Sequence, residues 1–145
     1  MRTKYIIVFD LDGTLSIVGD RLKYLKQNDW DSFYEACGED EINKEIADIF
    51  KILQKTDHKI KIVTGRRESV RKKTLDWLIF NHLLINTNDL HMRKDNDKRN
   101  DTIIKPKLIE SFKDDILMIF EDRTSMVNKW RELGITCLQV ADGNF

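Results

Sequence analysis

The chain has few of the residues that interrupt or crosslink a polypeptide. Its 145 residues include one proline, Pro106, and two cysteines, Cys37 and Cys137. Because no low-complexity linker divides the chain, we expect a single domain over residues 1–145. The two cysteines lack the close spacing of a metal site. A disulfide between them is one alternative, but this cysteine content favours two buried free thiols in a reducing compartment.

The chain also lacks an excess of either charge and any long apolar run. The 25 basic and 25 acidic residues give a formal net charge of zero, which argues against a non-specific coat for nucleic acid or membrane. A local basic groove remains compatible with this balance. The longest apolar run is far shorter than the ~20 residues of a membrane span. The first apolar run begins too early for a secretory signal, so we expect a cytoplasmic protein.

What is present is a regular alternation of short apolar runs and helical patterns. The apolar runs predict strands at residues 5–9, 59–63, 89–92, 116–120 and 135–140. Apolar residues at helical spacing predict a helix over 41–55, and Pro106 suits the first turn of a short helix that reaches Phe112. The alternation predicts an α/β fold, a three-layer doubly wound parallel sheet of five strands. Ligands of such sheets bind at the carboxyl ends of the strands.

Two aspartates, Asp10 and Asp12, stand where the first predicted strand ends, in the stretch IIVFDLDGTL. Like charges this close resist ionisation. A chain accepts that cost for a cation or for proton-transfer chemistry, or else the two side chains simply splay into a turn.

Polar residues stand at the other strand ends as well. They are Thr64, Gly65 and Arg66 after the second strand, Lys105 between the third and fourth, and Glu121, Asp122 and Arg123 after the fourth. Each has an ordinary explanation alone, as a loop, a helix cap or a solvated lysine. All of them fall on one edge of the predicted sheet, which indicates a site there.

Four of these features together resemble the motifs of the haloacid dehalogenase-like (HAD) phosphohydrolase superfamily. They are DLDGT at 10–14, Thr64, Lys105 and the acidic pair at 121–122. The resemblance covers nearly the whole chain and implies a HAD-like Rossmannoid fold. Only 53 residues separate Asp10 from Thr64 and only 40 separate Thr64 from Lys105, so we expect an essentially capless enzyme. An open site admits a phosphate on a large molecule.

The resemblance also implies a Mg²⁺-dependent phosphatase mechanism. Asp10 would attack phosphorus and form an aspartyl-phosphate, and Asp12 would protonate the leaving oxygen and then activate water. Asp10, the backbone carbonyl of Asp12, and Asp122 would hold Mg²⁺. Thr64, Gly65 and Lys105 would bind phosphate oxygens, and Lys105 would offset the charge on Asp10.

Residues 91–105 and 119–145 look like the 3′-phosphatase domain of bacteriophage polynucleotide kinase. Arg21, eleven residues after Asp10, and Arg66 match arginines of that family and would help to bind the substrate phosphate. Asp101 would orient Lys105, with Arg123 in a supporting place. Glu121 stands where that family has aspartate. It would therefore bind through a metal water or only shape the site.

The resemblance favours a polynucleotide 3′-phosphatase that acts in DNA or RNA end repair, with nucleic-acid 3′ ends as its substrates. A phage or bacterial source is consistent with it. The alternatives are a small-molecule nucleotide phosphatase and, less favoured, a non-catalytic phosphate-binding module. The chain has no G-x-x-x-x-G-K-[ST] loop, so any 5′-kinase activity would reside in another chain. The sequence leaves open whether the protein is a homo-oligomer.

Two further groups of residues have competing interpretations. The basic cluster of Arg93, Lys94, Lys98 and Arg99 is either a solvated loop or a short electrostatic groove for a polynucleotide. The aromatic set of Tyr24, Trp30, Phe33 and Tyr34 suits core packing or a small lid better than base stacking. The three histidines lack metal-ligand spacing, and no catalytic role is expected for them.

Overall fold

A computed structural model of the chain describes residues 3–144. Its strands are β1 (Ile6–Phe9), β2 (Ser16–Ile17), β3 (Glu41–Ile42), β4 (Lys59–Arg67), β5 (Leu90–Arg93), β6 (Ile116–Glu121) and β7 (Cys137–Gln139). Five of them form one parallel sheet in the order β5-β4-β1-β6-β7, while β2 and β3 pair as a separate antiparallel ribbon. The five predicted strands all exist, and β4 extends further than its apolar run.

Helices cover both faces of this sheet. They are α1 (Leu22–Lys26), α2 (Trp30–Glu35), α3 (Lys44–Gln54), α4 (Arg71–Phe80), α5 (Asp101–Leu108) and α6 (Thr124–Glu132). Side chains of the central strand β1 alternate between the two cores: Phe9 packs with Phe50 of α3, whereas Val8 belongs to the second core, which also contains Trp130 of α6. The predicted three-layer, doubly wound α/β fold is therefore confirmed.

The helix predicted over 41–55 begins later than expected, at Lys44. Residues Glu41–Ile42 pair instead with Ser16–Ile17. Asn43 explains the change, because its backbone is extended and its amide side chain donates to the carbonyl of Thr14 at 2.9 Å. The residues before α3 are thus tied to the turn that follows β1.

The short helix predicted to start at Pro106 starts at Asp101 instead. Asn100 caps it, since its side-chain oxygen accepts from the backbone N–H of Thr102 at 2.9 Å. Pro106 therefore lies inside the helix, which ends at Leu108 rather than near Phe112. This cap places Lys105 on a helix instead of in a loop, and so restricts the direction of its side chain.

The segment between β2 and β3 is a small helical insertion made of α1, α2 and a 3-10 turn over Ala36–Glu39. Phe33 and Tyr34 of α2 are buried, while Trp30 is 43% exposed. Core packing thus accounts for Phe33 and Tyr34, in agreement with the favoured interpretation of the aromatic set. The insertion is too short to be a sizeable cap.

Both cysteines are free and buried, as expected. Within residues 3–144, no helix combines the length and apolarity that crossing a bilayer requires.

His91 of β5 lies against the ring of Phe112, with the ring centroids 4.9 Å apart. Burial, together with the charge of Lys61, lowers the pKa of His91 from 6.5 to about 4. In the unfolded chain His91 binds a proton below pH 6.5, whereas in the folded chain it binds one only below about pH 4. The free energy of unfolding therefore rises with pH between about pH 4 and pH 6.5. The wild-type protein therefore loses free energy of unfolding between pH 7 and pH 4. In His91→Phe this loss is expected to be smaller by about 2 kcal/mol.

Urea unfolding at several pH values measures this change. His82→Asn is the matched control, because His82 is exposed and its positive φ of 58° suits asparagine. Equal pH slopes for wild type and His91→Phe would contradict the assignment.

Candidate active site

The carboxyl ends of β1, β4 and β6 meet at one edge of the sheet. At the end of β1 the chain turns tightly, with the backbone N–H groups of Leu15 and Ser16 both donating to the carbonyl of Leu11. Gly13 has a φ of +84°, and a Cβ there would lie 2.1 Å from Oδ2 of Asp122. Only glycine fits this position, so the turn can bring the end of β1 against the end of β6.

Asp10, Glu121 and Asp122 form a buried carboxylate cluster at this edge. One ligand oxygen from each lies within 4.8 Å of the others. Burial raises the pKa of Asp10 and of Asp122, and neighbouring negative charge raises both further, from Glu121 in the first case and from Asp10 in the second. The negative charges of these carboxylates repel one another, so a hard divalent cation that binds their oxygens would favour their charged forms.

Lys105 is the cation next to this cluster. Its Nζ donates to Oδ1 of Asp10 at 2.7 Å and to Oε2 of Glu121 at 3.1 Å, and the side chain is buried. Burial alone would lower the pKa of Lys105, but the charges of Asp10 and Glu121 raise it well above its ordinary value. Lys105 is therefore charged and points at the residue predicted to be the nucleophile.

Glu121 has its two oxygens turned in different directions. Oε2 accepts from Lys105, while Oε1 accepts from the backbone N–H of Asp122 at 3.1 Å. Asp101 pairs with Arg93 and lies 3.6 Å from Arg123, and its charge also raises the pKa of Lys105, so its role in orienting Lys105 stays a prediction. Glu121 holds Lys105 together with Asp10.

Asp12 lies in a second charged group with Arg21, Arg66 and Asp40. Oδ1 of Asp12 accepts from Nη2 of Arg21 at 2.6 Å and from Nη2 of Arg66 at 2.7 Å. Burial alone would raise the pKa of Asp12, but Arg66 and Arg21 lower it to about 2. Asp12 is thus ionised at neutral pH and held between both predicted phosphate-binding arginines.

Asp40 is a member of this group that the sequence did not predict. Its carboxylate accepts from Nε and Nη2 of Arg21, each at 2.7 Å, and from Nη2 of Arg66 at 3.3 Å. It follows no strand of the main sheet and matches no motif, so it carries no local signal. We refer to Asp12, Arg21, Asp40 and Arg66 as the charge quartet.

Thr64 and Gly65 lie where the pairing of β4 with β5 is irregular, between Thr64 and Arg67. The carbonyl of Gly65 accepts from Oη of Tyr34 at 3.1 Å and from Nε of Arg93 at 2.9 Å. A Cβ on Gly65 would lie 2.5 Å from Oδ1 of Asp101, so a larger residue there would displace the Asp101 carboxylate. Asp101 and Arg93 thus support the end of β4, which carries Thr64 and Arg66.

Arg93 does not belong to an exposed basic groove. It is buried, and its Nη1 donates to the carbonyl of Asp97 at 2.9 Å. Arg99 is exposed but pairs with Asp97 at 2.6 Å. Lys94 and Lys98 are exposed, so the solvated-loop interpretation describes this segment better.

Residues near the end of the described chain contact the main chain of Asp122. Nε2 of Gln139 donates to the carbonyl of Asp122 at 3.0 Å, and the N–H of Thr124 donates to the carbonyl of Gly143 at 3.0 Å. A Cβ on Gly143 would lie 2.0 Å from the carbonyl oxygen of Asp122. The position of Asp122 therefore depends on Gln139 and Gly143, which lie beyond α6 in the chain.

Residues 4–145 match the family described as the polynucleotide kinase PNKP phosphatase domain. A chain in a solved structure of the Pnkp1/Rnl/Hen1 complex is 29% identical, with a TM-score of 0.83 over 99% of this chain and 48% of that chain. A chain of the Pnkp1/Rnl/Hen1 RNA repair complex is also 29% identical, with a TM-score of 0.85 over 98% and 44%. The present chain thus spans about half the length of these relatives.

A more distant likeness concerns the fold alone. The haloacid dehalogenase-like hydrolase SP0104 from Streptococcus pneumoniae is 16% identical, with a TM-score of 0.64 over 94% of this chain and 84% of that protein.

Proposed function

Because the chain belongs to the HAD-like family of polynucleotide kinase PNKP phosphatase domains, we propose that it removes 3′-phosphates from polynucleotide ends. The observation that carries this proposal is the placement of the carboxylate cluster beside two buried arginines at one edge of the sheet. A nucleophile, a metal site and phosphate donors are the parts that phosphoryl transfer needs.

In the proposed reaction Asp10 attacks phosphorus and forms an aspartyl-phosphate. Asp12 protonates the departing 3′ oxygen, and afterwards takes a proton from the water that hydrolyses the intermediate. Asp12 is ionised in the free protein, where its pKa is about 2, and this low pKa makes it a weak base. Both steps therefore require Arg21 and Arg66 to turn from Asp12 toward the substrate phosphate, which raises the pKa of Asp12.

Asp10, Asp122 and the backbone carbonyl of Asp12 would hold Mg²⁺, which would neutralise charge on the phosphate. The donor set fits this ion, since the carboxylate oxygens lie close together and are buried. Glu121 has its oxygens directed at Lys105 and at main-chain amides, so it shapes the site. Thr64, Gly65 and Lys105 would complete the contacts to the phosphate oxygens.

A polynucleotide end is favoured over a free nucleotide because only the short insertion of α1 and α2 lies between β2 and β3. A site without a large cap does not enclose its substrate. One relative is a chain of an RNA repair complex, which agrees with a role in end repair.

A substrate panel tests this proposal. The enzyme is assayed for phosphate release from 3′-phosphorylated DNA and RNA oligonucleotides, from 2′,3′-cyclic phosphate ends and from mononucleotides, with Mg²⁺ and with a chelator. We expect kcat/KM on oligonucleotide ends to exceed that on mononucleotides at least about tenfold, and the chelator to abolish turnover.

Better turnover of mononucleotides would instead support the nucleotidase alternative. Binding of phosphorylated ends without any release of phosphate would support a non-catalytic module. Activity that persists in the chelator would contradict the Mg²⁺ site.

A further inference from the structure

Asp40 is a buried carboxylate whose contacts the proposed reaction does not use. Only 4% of its side chain is exposed. It receives two parallel hydrogen bonds from Arg21, each 2.7 Å long, and a longer one from Arg66. Paired bonds to one carboxylate fix the plane of a guanidinium as well as its position.

The main chain of Asp40 is itself held from two sides. Its carbonyl accepts from Nε1 of Trp77 in α4 at 2.7 Å, and Trp77 is buried. Asp40 directly precedes β3, which pairs with β2 beyond the turn that carries Asp12. The main chain of Asp40 is therefore fixed independently of the arginines that its carboxylate contacts.

Charges balance within the quartet, with two guanidinium groups against two carboxylates. Arg66 is completely buried, so it requires a counter-charge. Without Asp40, both arginines would have only Asp12 as an anionic partner, and both already converge on its Oδ1. Arg21 would also lose the paired hydrogen bonds that fix the plane of its guanidinium group.

We propose that Asp40 is a positioning residue that fixes the guanidinium groups of Arg21 and Arg66 beside Asp12 for the substrate phosphate, and that its charge weakens phosphate binding. The inference rests on the proposed phosphatase function. It has two opposite consequences, because Asp40 aligns the arginines for turnover but also competes with the phosphate for them.

Asp40→Asn tests both consequences, since it keeps the shape of the side chain and removes its charge. We expect kcat to fall roughly 10- to 100-fold from misplaced arginines. We expect the inhibition constant of inorganic phosphate and the KM to decrease by roughly threefold or more, because one opposing charge is gone. Loss of folded protein alone would lower the apparent kcat and leave both binding constants unchanged.

The matched control is Glu39→Gln, which removes a charge from the exposed neighbouring residue and is expected to leave all constants unchanged. An unchanged kcat in Asp40→Asn, or an inhibition constant that stays equal or rises, would overturn the proposal. Should Asp40→Asn fail to fold, Trp77→Phe removes the hydrogen bond to the Asp40 carbonyl and keeps the Asp40 charge, so it is expected to lower kcat and to leave the inhibition constant of phosphate unchanged. An unchanged kcat in folded Trp77→Phe would then overturn the proposal.

The assay uses p-nitrophenyl phosphate and inorganic phosphate as well as 3′-phosphorylated oligonucleotides. Small phosphates report on the quartet even if the enzyme does not prefer polynucleotide ends. A failed preference for ends therefore contradicts the proposed function alone, and unchanged small-phosphate constants in Asp40→Asn contradict the role of Asp40 alone.

Discussion

Asp10→Asn is expected to reduce phosphatase turnover by at least about 10⁴-fold, because an amide oxygen cannot act as the attacking group. The carboxylate of Asp10 accepts from Lys105 and lies within the carboxylate cluster, so the substitution alters charge with little change in shape. Single-turnover release of phosphate measures the effect. The matched control is Asp48→Asn, at an exposed position of α3, which is expected to retain full activity.

The same variant is expected to be at least as stable as the wild-type protein at pH 7. Burial and the neighbouring Glu121 raise the pKa of Asp10, so ionising this group costs free energy in the folded state. Asparagine removes that cost, and Lys105 keeps Glu121 as a partner. Turnover within tenfold of wild type would exclude the aspartyl-phosphate mechanism, and a thermal midpoint well below wild type would attribute the loss to unfolding.

The fold could be predicted because its signals are local and repeated. Short apolar runs are typical of buried strands, and the alternation with helices leaves few topologies other than a parallel sheet. Parallel strands bring their carboxyl ends to one edge, so the positions of Asp10 after the first strand and of Asp122 after the fourth are sufficient to predict that their carboxylates meet.

The errors arose where a local signal was outweighed by a neighbouring one. Pro106 suits a helix start, but Asn100 is a stronger N-cap, so the helix begins at Asp101, five residues before Pro106. The proline then lies near the end of the helix. Arg93 has the composition of a basic surface loop, but its contacts with the Gly65 carbonyl and with Asp101 exist only after β4 and α5 have packed.

Asp40 and Glu121 could not be assigned from sequence for a different reason. Each acts through a partner that is distant along the chain, Arg21 and Arg66 in one case and Lys105 in the other. Such pairs depend on side-chain length and on the direction from which an element enters the site. Glu121 belongs to the acidic pair of the fourth motif, which marks its position but not its contact with Lys105, whereas Asp40 matches no motif at all.

Lys105→Met is expected to abolish activity and to lower the free energy of unfolding by about 3–5 kcal/mol at pH 8, since it leaves buried carboxylates without their cation. Without Lys105 the pKa of Asp10 rises further above its unfolded value, so stability decreases as pH rises and returns on acidification.

Mg²⁺ is expected to restore stability more in this variant than in wild type. An added Asp122→Asn substitution is expected to prevent that recovery. Unfolding by urea at pH 5 and pH 8 measures these changes. Lys107→Met, exposed on the same helix, is the control; equal unfolding free energies for the two variants at pH 8 would contradict the role of Lys105.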